Sequence, residues 1–187
     1  MPSATHERIL DATLEVLTRF GITKLTLEDV ASAAEMSRQT VYRYFGNKDE
    51  LTRACLVREE ERFLQTVLAA TEGNDQLDLR VALERAFTVA IDQARAHPLL
   101  DRLLATEPHA LLPLLLTGEG PVLSVVGPVI EQVLAHRLGH LSDRELHRVA
   151  DATSRLLLSY AINPAEEPTE DVASSLADLI VHGIKTT

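Results

Sequence analysis

The sequence predicts an all-α protein of about nine or ten helices. Three observations lead there. Apolar residues recur at helical spacing along nearly the whole chain, with no sustained strand alternation or hairpin turns. Glycine and proline fall between the periodic segments. Residue types that cap helices stand where those segments begin. The 187 residues suffice for one large domain or two small ones.

Taken in order, the first helix is expected from a Thr5 cap to Phe20. Ile9, Thr13, Leu17 and Phe20 share one face, and Gly21 supplies the stop. Thr26 caps a short second helix that ends near Ala34, with Glu28 and Asp29 in its first turn, where the helix dipole favours anions. Ser37 caps a third, reaching Phe45. Asn47, with Glu50 three residues later, opens a long fourth helix to about Ala70. After Gly73, Asn74 and Asp75, further helices are expected near 77–96, 98–106, 108–117, 121–138, 142–162 and 169–184. Pro98, Pro108, Pro121 and Pro168 stand near helix starts, where a missing N–H costs nothing. Pro113 falls inside an apolar run and predicts a kink or a boundary there.

Charge and composition narrow the function classes. The net charge of −10 argues at first against a nucleic-acid partner, but its distribution matters more. Up to residue 48, the cations Arg8, Arg19, Lys24, Arg38, Arg43 and Lys48 are balanced by six carboxylates, so the negative excess lies entirely beyond that point. The single cysteine, Cys55, forms no internal disulfide and reads as a buried structural thiol in a reducing, cytoplasmic setting. The N-terminus lacks the basic and apolar runs of a signal peptide, and no apolar run is long enough to span a bilayer, so no membrane partner is expected.

Residues 26–51 place two short capped helices on either side of a tight turn, the geometry of a helix-turn-helix. Ala31, Ala33 and Ala34 permit close helix approach. Val41 and Phe45, one turn apart, anchor the third helix inward, leaving Arg38, Gln39, Thr40, Arg43 and Tyr44 outward. Arginine reads guanine and glutamine reads adenine in the major groove, while a threonine methyl touches a thymine methyl. Tyrosine hydroxyls and lysine suit phosphates, as does a helix start beside Lys48. The chain has only four Phe and three Tyr, yet Tyr42, Tyr44 and Phe45 fall within one helical turn, beside Arg43 and Lys48.

These residues resemble the N-terminal domain of tetracycline-repressor-family regulators. The features shared are the Thr26 cap, the Ala31–Ala34 stretch, the run from Thr40 through Tyr42 to Phe45, and the entry Asn47-Lys48-Asp49-Glu50-Leu51. The resemblance covers about residues 5–52. It implies DNA contacts at Thr26, Arg38, Gln39, Thr40, Tyr42, Tyr44 and Lys48. Arg43 joins them by position and charge, and Ser37 stands with them at the start of the third helix. It also implies a DNA-binding domain over 1–47 and a helical effector-binding and dimerisation domain over 48–187. One departure is Glu35, where the family usually has a turn glycine able to take a positive φ.

By the same resemblance, two copies read a palindromic operator with recognition helices about 34 Å apart. The dimer stripes fall at Val122, Val125, Val129 and Val133, and at Val149, Thr153, Leu156, Leu157 and Tyr160. A small apolar effector is expected between helices near 77–117, lined by Leu83, Phe87, Thr88, Ile91, Leu103, Leu104, Leu112 and Leu115. No catalytic residue, cofactor or metal is expected. The alternatives are a helical metal-binding enzyme using His136, His140 and His147, and an adaptor that does not bind DNA, as Glu35 hints. The expected whole is a ligand-responsive regulator, a repressor by family.

Overall fold

The computed structural model describes residues 3–71, 77–111, 127–128, 130–131, 134–135, 137–138 and 141–184. Eight helices are delimited among the described residues: α1 (Ala4–Lys24), α2 (Leu27–Ala33), α3 (Arg38–Phe45), α4 (Lys48–Thr71), α5 (Leu79–Arg95), α6 (Pro98–Thr106), α7 (Asp143–Ile162) and α8 (Thr169–Ile184). Residues 108–111 and the described residues between 127 and 137 are helical as well. No strand occurs among the described residues.

Most helix ends obey local chemistry. Thr26 and Ser37 accept from the backbone N–H of Asp29 and Thr40. The Asn47 side chain accepts from Glu50 N–H at 2.9 Å, and Ser142 and Glu145 form a reciprocal capping box on α7. The cap of α1 is Ser3, not Thr5: its hydroxyl accepts from His6 N–H at 3.2 Å, so the helix begins earlier than expected. Gly21, at φ 84°, breaks helical geometry where a stop was expected, and a short helical turn continues to Lys24. Ile9, Thr13 and Leu17 are buried as their spacing predicts, whereas Phe20 is partly exposed beneath the Arg19 guanidinium.

The chain divides into two compact units. The first comprises α1, α2, α3, α4 as far as Glu61, and α6. A division at residue 47 leaves α6 on the far side, but its contacts place it on α1. The core of this unit includes Ile9, Leu17, Val30, Val41, Leu51, Cys55 and Leu103, all fully buried. In the second unit α5 packs against α7 and α8. Leu83, Phe87 and Ile91 of α5 meet Leu146, Val172, Leu176 and Ile180 there. None of the described helices is long and apolar enough to cross a membrane.

Candidate nucleic-acid interface

The helix α3 sorts its side chains by face. Val41 and Phe45 are buried; Arg38, Gln39, Tyr42 and Arg43 are exposed. Each set repeats at a spacing of four, so one face locks the helix down and the other lies open. Tyr42 is 51% exposed, a large aromatic presented to solvent. Arg43 lies 5.8 Å from the Tyr44 ring centroid, within cation–π reach.

Other members of the expected set are engaged. Ser37 and Thr40 hydroxyls bond each other at 2.9 Å, so both serve the start of α3. Thr26 donates to the Asp29 carboxylate at 2.6 Å while capping α2. Tyr44 turns toward the start of α1, with its hydroxyl 3.4 Å from Ser3 Oγ. His6 stacks obliquely on Phe45 beside it. Hydrogen bonds from Ser3 and Thr5, then the Arg43 charge, lower the Tyr44 phenol from its ordinary value. Lys48 donates from Nζ to the Thr23 carbonyl at 2.8 Å.

Two acidic partners shape the face. Arg38 is ion-paired with Glu28 of α2, and Arg8 with Glu35 at 3.2 Å. Glu35 takes φ 52°, in the left-handed region that the family's glycine normally serves. Its N–H bonds the Ser32 carbonyl and Met36 N–H bonds the Ala31 carbonyl, which closes the end of α2. The turn therefore keeps the shape a glycine would give it. Sequence reasoning placed Glu28 only in the dipole of α2; its pairing with Arg38 depends on how α2 and α3 cross, which spacing does not reveal.

Further residues that spacing did not reveal sit on α4. The Arg58 side chain, only 9% exposed, bonds Asp11 at 2.8 Å, Glu7 at 3.4 Å and Glu59 at 3.0 Å, and so ties α4 to α1. Glu60 is buried with neither carboxylate oxygen hydrogen-bonded. Burial, then the neighbouring Glu61, pushes its carboxyl up to about 7. Cys55 is fully buried, with Sγ 3.7 Å from the Leu10 carbonyl.

The expected effector residues fall in both units. Leu83, Phe87 and Ile91 pack into the core of the second, and Thr88 spends its hydroxyl on the Glu84 carbonyl. Leu103 and Leu104 belong to the first, on α6. Leu112 and Leu115 lie outside the described residues. Of the dimer stripes, Val149, Leu156, Leu157 and Tyr160 are partly buried against the second core, and Thr153 is buried. Val122, Val125, Val129 and Val133 lie outside the described residues, as do His136, His140 and Pro113. His147 bonds Glu131 at 3.1 Å, and no cluster of metal-binding side chains occurs among the described residues.

Comparison with known proteins adds an independent line. The family profile described as "Bacterial regulatory proteins, tetR family" matches residues 9–55, and "Bacterial Tetracyclin repressor, C-terminal domain" matches residues 78–182. The transcriptional regulator AlkX of Mycobacterium tuberculosis is 30% identical over 186 residues, covering 96% of this chain and 87% of its own. The repressor TetR of Mycobacteroides abscessus is 30% identical over 176 residues, covering 80% of this chain and 92% of its own. Among solved structures, the AlkX repressor of a Dietzia strain, implicated in biodegradation of n-alkanes, superposes with a TM-score of 0.73. It shares 24% identity, with 99% of this chain and 97% of that one covered.

Proposed function

The chain belongs to the tetracycline-repressor family of bacterial transcriptional regulators, and we propose that it acts as a homodimeric repressor, released from a palindromic operator by a small apolar effector. The exposed polar face of α3 carries this reading. Arg38 and Gln39 read base edges in the major groove, whereas Tyr42, Arg43 and Lys48 hold phosphates. Thr26, Ser37, Thr40 and Tyr44 stand beside them and shape the face through their internal bonds. Two copies supply two such helices, one DNA turn apart. The half-buried Leu156, Leu157 and Tyr160 of α7 and the exposed Leu179 of α8 support a second copy as the partner. Light scattering of the purified chain checks that dimer.

An apolar effector fits the leucine-rich helices, and the Dietzia relative is itself implicated in n-alkane biodegradation. The effector acts by shifting the population toward a state whose recognition helices no longer match the groove spacing. The relatives are transcriptional regulators, so catalysis forms no part of this reading, and the cytoplasm is where it works.

A mobility-shift titration on the chain's own upstream intergenic DNA, repeated across salt, tests this function. Affinity falls steeply as salt rises, because phosphate contacts release counterions. Tyr42→Ala and Lys48→Ala weaken all duplexes about equally, whereas Arg38→Ala and Gln39→Ala change which duplex is preferred. Four identical responses would refute the division into readers and positioners.

A further inference from the structure

The end of α6 grips the turn that leads into α2. Glu107, the residue that ends α6, accepts from Thr23 N–H through Oε2 at 3.0 Å. Its carboxylate lies against Gly21, so closely that a Cβ there would overlap it. Gly21 also holds φ 84°, a backbone shape that side chains resist. One turn earlier on α6, Arg102 reaches the Arg19 carbonyl at 3.5 Å. The carbonyl of the same Thr23 accepts from Lys48 Nζ at 2.8 Å. Thr23 thus has one handle held by Glu107 and offers the other to Lys48.

We propose that Glu107 is a positioning residue for DNA binding: by fixing the Gly21–Thr23 backbone, it sets the carbonyl that holds Lys48 at the start of α4, ready for a phosphate. The inference rests on Lys48 as a phosphate contact. A lysine side chain has four flexible bonds, so an ammonium without a fixed acceptor spreads over many positions. The backbone offering that acceptor passes through a glycine, the residue least able to hold its own shape. A hydrogen bond to an ionised carboxylate is about twice as strong as a neutral one, which suits the task of pinning a glycine turn. The carboxylate never touches DNA; it acts through Thr23.

The test uses the full-length chain and a labelled random-sequence duplex of about 30 base pairs, because phosphate contacts are independent of sequence. Affinity is read by fluorescence anisotropy at several salt concentrations. Glu107→Ala is expected to lower the slope of log affinity against log salt by about one, the signature of one lost phosphate contact. Glu107→Gln, whose neutral amide oxygen still accepts from Thr23 through a weaker bond, should keep a slope closer to the wild type than to Glu107→Ala. The double variant Lys48→Ala with Glu107→Ala should match Lys48→Ala alone. A purely structural role predicts otherwise: Glu107→Ala would lower the melting temperature and add its loss to that of Lys48→Ala. That additivity, or an unchanged slope in Glu107→Ala, overturns the inference. An unchanged slope in Lys48→Ala itself removes Lys48 from the phosphate contacts and takes the inference with it.

Discussion

Replacing Glu35 by glycine should leave this protein more stable than replacing it by alanine, and either change should tighten its hold on DNA. Glu35 carries a side chain in the left-handed region, which costs about 1–2 kcal/mol in an L-residue. Glycine relieves that strain but loosens the unfolded chain, an offset of about 0.4–1 kcal/mol. The Arg8–Glu35 ion pair complicates the comparison; its carboxylate side chain is 83% exposed, and such pairs contribute roughly 0–1 kcal/mol. Glu35→Ala removes the same pair while keeping the strained backbone, so it is the proper reference. Glu35→Gly should therefore exceed Glu35→Ala in stability by about 0.5–1 kcal/mol, or about 1–4 °C in melting temperature for a chain of this size. Thermal and urea denaturation of the two variants measure it. DNA binding separates the charge from the backbone. Both variants lose a carboxylate from the turn that precedes α3 and should tighten on a non-specific duplex alike, most at low salt. If Glu35→Gly is no more stable than Glu35→Ala, the turn is not strained and the reasoning fails.

Three more perturbations follow from buried or paired charges. Glu60 titrates near 7 when folded and near 4.5 when unfolded, so between those values the folded chain holds the extra proton. Its contribution to stability is therefore most favourable below pH 4.5 and declines by up to roughly 3 kcal/mol as pH rises through 7. Glu60→Gln should raise the melting temperature at pH 8 and change it little at pH 5; equal shifts at both would contradict a buried, neutral carboxyl. Arg58→Ala takes one partner from the nearly buried Glu59, which keeps His97 at 3.7 Å, and should cost about 1–3 kcal/mol, whereas Asp11→Asn, at the exposed end of the network, should cost less than about 1 kcal/mol. Chemical denaturation that ranks the two the other way would locate the network's weight elsewhere. Glu28→Gln removes the counter-charge on Arg38 and should both tighten non-specific binding and broaden operator preference, measured by selection from a randomised duplex pool.

The first unit was legible in sequence because its signals are local. Thr26, Ser37 and Asn47 each cap within three residues of themselves, and Val41 and Phe45 differ from Arg38 and Gln39 by position on a single turn of helix. No long-range information is needed to place them. The Thr5 cap failed for the same reason it was plausible: Ser3, two residues earlier, has the same chemistry, and it is the hydroxyl that accepts from His6 N–H, while Thr5 bonds Tyr44. Pairings between distant segments left no trace in periodicity. Arg58 finds Asp11 across 47 residues and Glu107 finds Thr23 across 84.

The second unit shows a deeper limit. The stripe Leu83, Phe87, Ile91 reads equally as the wall of an effector cavity or as the seam against α8, and the structure packs it as a seam with Val172, Leu176 and Ile180. Leu156, Leu157 and Tyr160 read as a dimer face, and they are partly covered by their own core. In both cases the same apolar surface satisfies either partner, because hydrophobic burial is non-directional. What distinguishes the partners is polar punctuation, and here it is spent inside the chain: Thr88 on Glu84, Thr153 on Val149, and Arg80 on Asp178, Glu84 and Ser174. The helix α3 stands out because Arg38, Gln39, Tyr42 and Arg43 keep long polar side chains exposed on one face while Val41 and Phe45 are buried on the other. A sensing domain for an apolar ligand needs no such face, so its sequence is hard to tell from that of an ordinary core.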